Sequence, residues 1–162
     1  MVDKSAVYAL LNAQQIPFEA YEHPPVYTIE DMDALTIPQK HRIVKNLFLR
    51  DAKKRNYYLV TLPGHKPVNL KALAALIPSR PLSFASEQDL DAILGLKRGH
   101  VTPLGALNNA DKTVTVVFDA ALQGQTIGIH PMENTATVFI AFDDVVRLLK
   151  AHQTPIVLCQ ID

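Results

Sequence analysis

The sequence predicts an α+β fold, a mixed and mostly antiparallel sheet flanked by helices, over residues 1–162 as one domain. Three observations predict it. Two β-prone runs, 43–49 and 57–62, are joined by a polar, cationic stretch and read as a hairpin. Three further β-prone runs, 113–118, 126–130 and 135–140, follow a glycine–proline loop. Helices fall between these without the regular strand–helix–strand repeat of a doubly wound sheet.

Asp3 can cap a first helix, in which Ala6, Val7, Leu10 and Leu11 recur at helical spacing. Pro17 disfavours helical geometry at Ile16, so the helix stops there. Residues 18–21 alternate as a short strand, and His23-Pro24-Pro25 imposes an extended segment poor in backbone donors. Thr28 followed by Glu30 and Asp31 is a helix start, with its acids at the positive end of the dipole. The hairpin comes next and is broken by Pro63-Gly64. Asn69 can cap a helix over 70–77, ended by Pro78. Residues 82–84 form a short strand, Ser86 with Asp89 opens a helix, and Gly95 closes it. Beyond the three later strands, Asp143 is expected to cap a helix carrying Val145, Val146, Leu148 and Leu149, and residues 156–160 form a terminal strand.

With 48% of its residues hydrophobic, a chain of this length can bury a sizeable core. No apolar run approaches the roughly 18–20 residues that span a bilayer, and the N-terminus lacks a signal-peptide pattern. The single cysteine, Cys159, excludes an intramolecular disulfide and a cysteine-based metal site; it reads as an inert buried thiol. A cytoplasmic protein without a membrane partner is expected. Net charge is formally zero, which argues against indiscriminate coating of nucleic acid. Yet Lys40, Arg42, Lys45, Arg50, Lys53, Lys54 and Arg55 cluster with only Asp51 opposing them. This is either a solvated hairpin edge that discourages aggregation or a local phosphate-contacting patch.

No phosphate-loop lysine, dinucleotide glycine fingerprint or paired-histidine zinc motif is present, and the six histidines lack metal-ligand spacing. No metal and no cofactor are expected. Lys45 heads the apolar run Leu47-Phe48-Leu49, where strand alternation places it on the face of Leu47 and Leu49. A lysine there either snorkels to water or supplies a fixed cation for a phosphate or a carbonyl gaining negative charge. The loop Gly99-His100-Val101-Thr102-Pro103 is either a plain connection or a set of main-chain donors for an anion. The segment from Gly128 ends a strand on His130 and turns through Pro131, with Asn134, Thr135 and Thr137 as polar groups. It reads equally as an ordinary hairpin.

Taken in order, His23-Pro24-Pro25-Val26-Tyr27-Thr28, Lys45-Asn46, Tyr58-Leu59-Val60-Thr61-Leu62-Pro63-Gly64, Gly99 through Leu104, and Gly128-Ile129-His130-Pro131 resemble the YbaK/ProX family of freestanding aminoacyl-tRNA editing domains. The likeness covers nearly the whole chain and is strongest to the ProX-type branch. It implies a small barrel-like mixed sheet flanked by helices, and hydrolysis in trans of the ester of mischarged tRNA(Pro), with alanine as the residue removed. It also implies catalytic roles for Lys45 and His130. Substrate-binding roles fall on Asn46, Gly99, His100, Val101, Thr102, Pro103, Gly128, Asn134 and Thr135. Ile43, Val44 and nearby apolar side chains are candidates for the pocket wall. The implied partners are tRNA(Pro) charged with alanine and prolyl-tRNA synthetase. Because subfamilies differ mainly in pocket-lining residues, a cysteine deacylase of the YbaK type is an alternative; a non-catalytic tRNA- or synthetase-binding module and a generic small-molecule or phosphate-binding domain are the others.

Overall fold

The computed structural model describes residues 1–162. Helix α1 (Lys4–Ala13) starts where the Ala6 N–H donates to the Asp3 carboxylate at 2.9 Å, and it buries Val7 and Leu11. Strand β1 (Phe18–Glu22) leads through the proline segment to the short helix α2 (Ile29–Asp33), capped by Thr28. A single 3-10 turn precedes the hairpin of β2 (Val44–Asp51) and β3 (Tyr57–Pro63). Asp51 organises the hairpin turn: its carboxylate accepts from the Arg55 N–H and the Asn56 side-chain amide, both at 2.9 Å. Those two bonds, Asn56 foremost, hold its carboxyl below the usual aspartate range.

Helix α3 (Leu70–Leu76), strand β4 (Leu82–Phe84) and helix α4 (Glu87–Leu94) follow, with Asn69 and Ser86 as side-chain caps and Gly95 closing α4 in the left-handed region. A 3-10 helix over Pro103–Asn108 then leads to β5 (Val114–Asp119), β6 (Thr126–Ile129), β7 (Ala136–Ala141), α5 (Phe142–Ala151) and β8 (Ile156–Cys159). Asp143 does not cap α5. The helix grows directly out of β7, its N-cap is Ala141 without a side-chain bond, and the Phe142 N–H is satisfied by the Gln125 carbonyl at 2.9 Å. Asp143 and Asp144 lie in the first turn, where the helix dipole favours them.

The strands form two sheets. One orders β1-β7-β6, antiparallel throughout; the other orders β4-β2-β3-β5-β8, antiparallel from β4 to β3 and parallel from β3 to β8. The fold is α+β as expected, but the sheet does not close into a barrel. A single parallel bridge, Ile43 to Gly128, joins the two sheets. The bridge needs a glycine: a Cβ at Gly128 would lie 2.8 Å from Phe139 Cε1 and 3.2 Å from Ile43 Cα. Gly64 makes the same allowance from the other side, its would-be Cβ falling 2.4 Å from the Ile43 carbonyl oxygen.

The larger core lies between the sheets, and α1, α4 and α5 pack on it. Phe118 of β5 meets Phe142 of α5 edge-on at 4.8 Å, a geometry that adds about 1 kcal/mol to the area buried. A smaller cluster, with Leu49, Leu62, Leu73 and Val117, fills the opposite face of the five-stranded sheet under α3. Cys159 is half-buried at the edge strand β8 rather than sealed in the core, and burial still pushes its thiol pKa upward. No helix is long and apolar enough to cross a membrane.

Candidate active site

A cavity opens beside β2 because β4 is short. Strand β4 pairs with β2 only at Leu49, Arg50 and Asp51, and the Ala85 N–H adds one more bond to the Phe48 carbonyl at 2.9 Å. At the other end the Ile43–Gly128 bridge occupies the start of β2. Between them, residues 45–47 keep a free edge, and a cavity of about 570 Å³ opens along it. Its other walls are the 26–28 segment with α2, the start of α4, the 98–101 loop and His130.

Strand alternation decides what that edge offers. The Phe48 carbonyl points to β4, so the main-chain groups of Asn46, two residues earlier, point to the same side, into the gap. The Asn46 side chain agrees: its Oδ1 accepts from Thr61 Oγ1 at 2.6 Å across the hairpin, the close side-chain approach of a non-hydrogen-bonded pair. The Asn46 N–H and C=O are therefore left facing the cavity.

Lys45 shares the face of Leu47, as its spacing predicts, and lines the same cavity. Its ammonium donates to the Lys66 carbonyl, which leaves two N–H groups for a ligand. Burial lowers its pKa. The accepting carbonyl is itself anchored. Lys66 Nζ lies 2.6 Å from Oδ2 of Asp119, a fully buried carboxylate at the end of β5 whose other oxygen accepts from the Ala121 N–H. A buried carboxylate so paired fixes the 63–66 turn from below, and through it the direction of Lys45.

His130 follows β6 and lies at the cavity's inner wall. Its Nδ1 is 3.0 Å from the Ala136 carbonyl, so Nδ1 carries the proton and Nε2 is an acceptor. Burial, reinforced by the neighbouring His23 and His100, lowers its pKa to about 4 despite the Ala136 carbonyl, so the ring is neutral at physiological pH. The His23 ring sits 6.4 Å away, centroid to centroid, tied by its two nitrogens to Pro24 O and Thr137 Oγ1 at 2.8 Å each.

The 99–103 loop divides. Gly99 and Val101 line the cavity, and neither main-chain N–H has a partner within the protein. Gly99 has φ +82°, and the Tyr27 ring packs so closely that a Cβ would lie 2.6 Å from it. His100 turns away, its Nδ1 3.3 Å from the Met132 carbonyl. Thr102 is buried and caps the 3-10 helix that Pro103 begins.

The structure also separates the other residues singled out in the sequence. Gly128 lies behind the cavity at the bridge between the sheets. Asn134 is buried, and its Nδ2 donates to the Val26 carbonyl at 2.8 Å, pinning the segment that forms the opposite wall. Thr135 faces α1, where its hydroxyl is 3.4 Å from Lys4 Nζ. Val44 is part of the apolar wall but Ile43 is not; Val26, Ile29, Met32 and Leu47 are among its other residues. Sequence reasoning placed Leu47 beside Lys45 but did not single out Val26, Ile29, Met32, Tyr27, Phe84, Arg98 or the Lys66–Asp119 pair. Nothing in local spacing marks a residue as lining a gap between distant segments. No group of three or more His, Cys, Asp or Glu side chains is placed to hold a metal ion.

The cleft gathers a cation, residues with unpaired main-chain N–H groups, a neutral imidazole and several apolar side chains around one cavity. Residues 23–148 match the model of the aminoacyl-tRNA editing domain, and the chain belongs to that family. It is 45% identical over 150 residues to the prolyl-tRNA editing protein ProX of Acetoanaerobium sticklandii, covering 92% of each chain. It is 38% identical to the prolyl-tRNA synthetase associated domain-containing protein 1 of Mus musculus, covering 91% of this chain and 90% of that one. Among solved structures, one described as a proposed trans-editing enzyme for prolyl-tRNA synthetase superposes with a TM-score of 0.72, at 17% identity, over 98% of this chain and 96% of that chain.

Proposed function

We propose that this chain is a trans-editing deacylase that hydrolyses the ester of mischarged tRNA(Pro), and that alanine is the residue it removes. The observation that carries the reading is the convergence of Lys45, the free Asn46 edge, the Gly99 and Val101 amides and His130 on one cavity. Family membership supplies the bond to be cut, and the ProX relative supports the tRNA. Prolyl-tRNA synthetase, whose product would be the substrate, is the partner this reading implies.

An aminoacyl ester is already activated by its own ammonium group and the neighbouring ribose hydroxyl. The protein then needs chiefly to position the ester and to stabilise the oxyanion that forms when water adds. Main-chain N–H groups at Asn46, Gly99 and Val101 are donors that pay no reorganisation on reaction. Lys45 adds a positive charge in a partly dehydrated setting, where it acts on the carbonyl oxygen or on the terminal phosphate. Removing one such donor costs about 3–4 kcal/mol of transition-state stabilisation. Neutral His130 accepts through Nε2 and orients the terminal ribose.

The choice of alanine is a steric argument. A synthetase pocket shaped for proline rejects a smaller residue weakly, because each missing methylene is worth only about 1–3 kcal/mol. The sieve requires the apolar side of the cavity, with Val26, Ile29, Met32, Val44 and Leu47, to seat the alanyl methyl better than the proline ring. Single-turnover hydrolysis of tRNA(Pro) charged in turn with alanine, proline, cysteine and serine tests this. Alanine should be released at least tenfold faster than proline. Equal rates would contradict the sieve, and a clear preference for cysteine would move the chain to the YbaK-type activity.

A further inference from the structure

We propose that Tyr27 and Phe84 form a stacking site for the terminal nucleobase of the charged RNA, at the rim of the cleft that takes its ester; the inference rests on the editing reading above. Six large apolar side chains are exposed: Met1, Tyr27, Leu76, Phe84, Val157 and Leu158. Two of the six are aromatic, Tyr27 at 62% and Phe84 at 60%, and both line the cavity that holds Lys45 and His130. They belong to different walls, Tyr27 preceding α2 and Phe84 ending β4.

Both rings are carried on anchored backbone. The Tyr27 N–H donates to Asp31 Oδ2 at 2.9 Å, and its ring rests against Gly99, whose lack of a side chain permits the contact. Phe84 pairs with Leu49 across β4 and β2, and the next residue, Ala85, is bonded to the Phe48 carbonyl. A ring held this way loses little freedom when a flat ligand stacks on it. A nucleobase is that ligand, since every base has a π-face and stacks on exposed aromatics without needing a hydrogen-bond code. Its place follows from connectivity: the base hangs from the same ribose that carries the ester, one sugar away from the donors at Lys45 and Asn46. The cavity is also far larger than an alanyl group requires. Arg98 lines the same rim and is held only by a long, exposed contact of 3.9 Å to Glu87, so its guanidinium is available to a nearby phosphate.

The test uses the full chain and tRNA(Pro) carrying 2-aminopurine in place of the terminal adenine. Binding to the unsubstituted protein should quench its fluorescence by stacking. Tyr27→Ala and Phe84→Ala should each diminish the quench and raise KM for Ala-tRNA(Pro) by about tenfold. The salt dependence of binding should stay the same, because no phosphate contact is removed. Tyr27→Phe and Phe84→Tyr, which keep a ring, should retain both properties. An unchanged quench and KM in the Tyr27→Ala/Phe84→Ala double variant would overturn the proposal, as would quenching confined to a probe at the penultimate nucleotide. Lys45→Ala separates the two levels. If it hydrolyses at the unsubstituted rate, the editing site itself is misplaced; if it is impaired while the aromatic variants are not, the stacking site alone fails.

Discussion

His130 shows how one side chain links stability to function. Its folded pKa of about 4 lies below the ordinary histidine value of 6.5. Between these values the unfolded chain takes up a proton that the native state refuses, so stability rises with pH across that window. The contribution, about 3 kcal/mol, is complete above pH 6.5 and is lost as pH falls toward 4. Urea unfolding at pH 7 and pH 4.5 checks this. The unsubstituted protein should lose about 2 kcal/mol more than His130→Asn across that interval; parallel losses would mean that the ring is not held neutral. Burial keeps the imidazole uncharged, and the Nδ1–H bond to the Ala136 carbonyl leaves its Nε2 as the acceptor. Lys45 and His130 could be singled out in the sequence because each stands at a strand end, where a polar group beside apolar neighbours is conspicuous. Thr102, Asn134 and Thr135 looked equivalent to them. The fold spends the Thr102 hydroxyl and the Asn134 amide on caps and wall supports, and turns Thr135 toward α1.

At the scale of elements, local chemistry was legible wherever a side chain closes its own turn. Asp3, Thr28, Asn69 and Ser86 each accept the main-chain N–H three residues on, and each marks a helix start. Asp143 failed as a cap because a distant carbonyl, that of Gln125, meets the first N–H of α5. The 3-10 helix after Pro103 carries no periodic signature. Gly128 was read as a substrate-binding residue, whereas its position at the crossing of β6 and the start of β2 gives it a packing role. Gly128→Ala should lower stability by about 1–3 kcal/mol, because its Cβ meets backbone at Ile43 and the Phe139 ring together. Chemical denaturation measures the loss. An unaltered midpoint would show that the two sheets tolerate wider separation there.

For the whole molecule, the departure from a barrel is what opens the cavity. Two sheets joined by one bridge leave part of β2 without a neighbour on one side, and the cavity opens at that gap. The strands and the β2–β3 hairpin were legible in the sequence, but the pairing between distant strands was not. Which of them would stay unpaired depends on the length of β4 and on contacts between residues more than eighty positions apart. The most direct measurement is single-turnover deacylation of Ala-tRNA(Pro) by Lys45→Ala, with circular dichroism to establish that the variant is folded. The rate should drop at least tenfold with the spectrum unchanged, because the cation at the free edge is lost while the strand pairing stays. A folded variant that releases alanine at the unsubstituted rate would contradict the account.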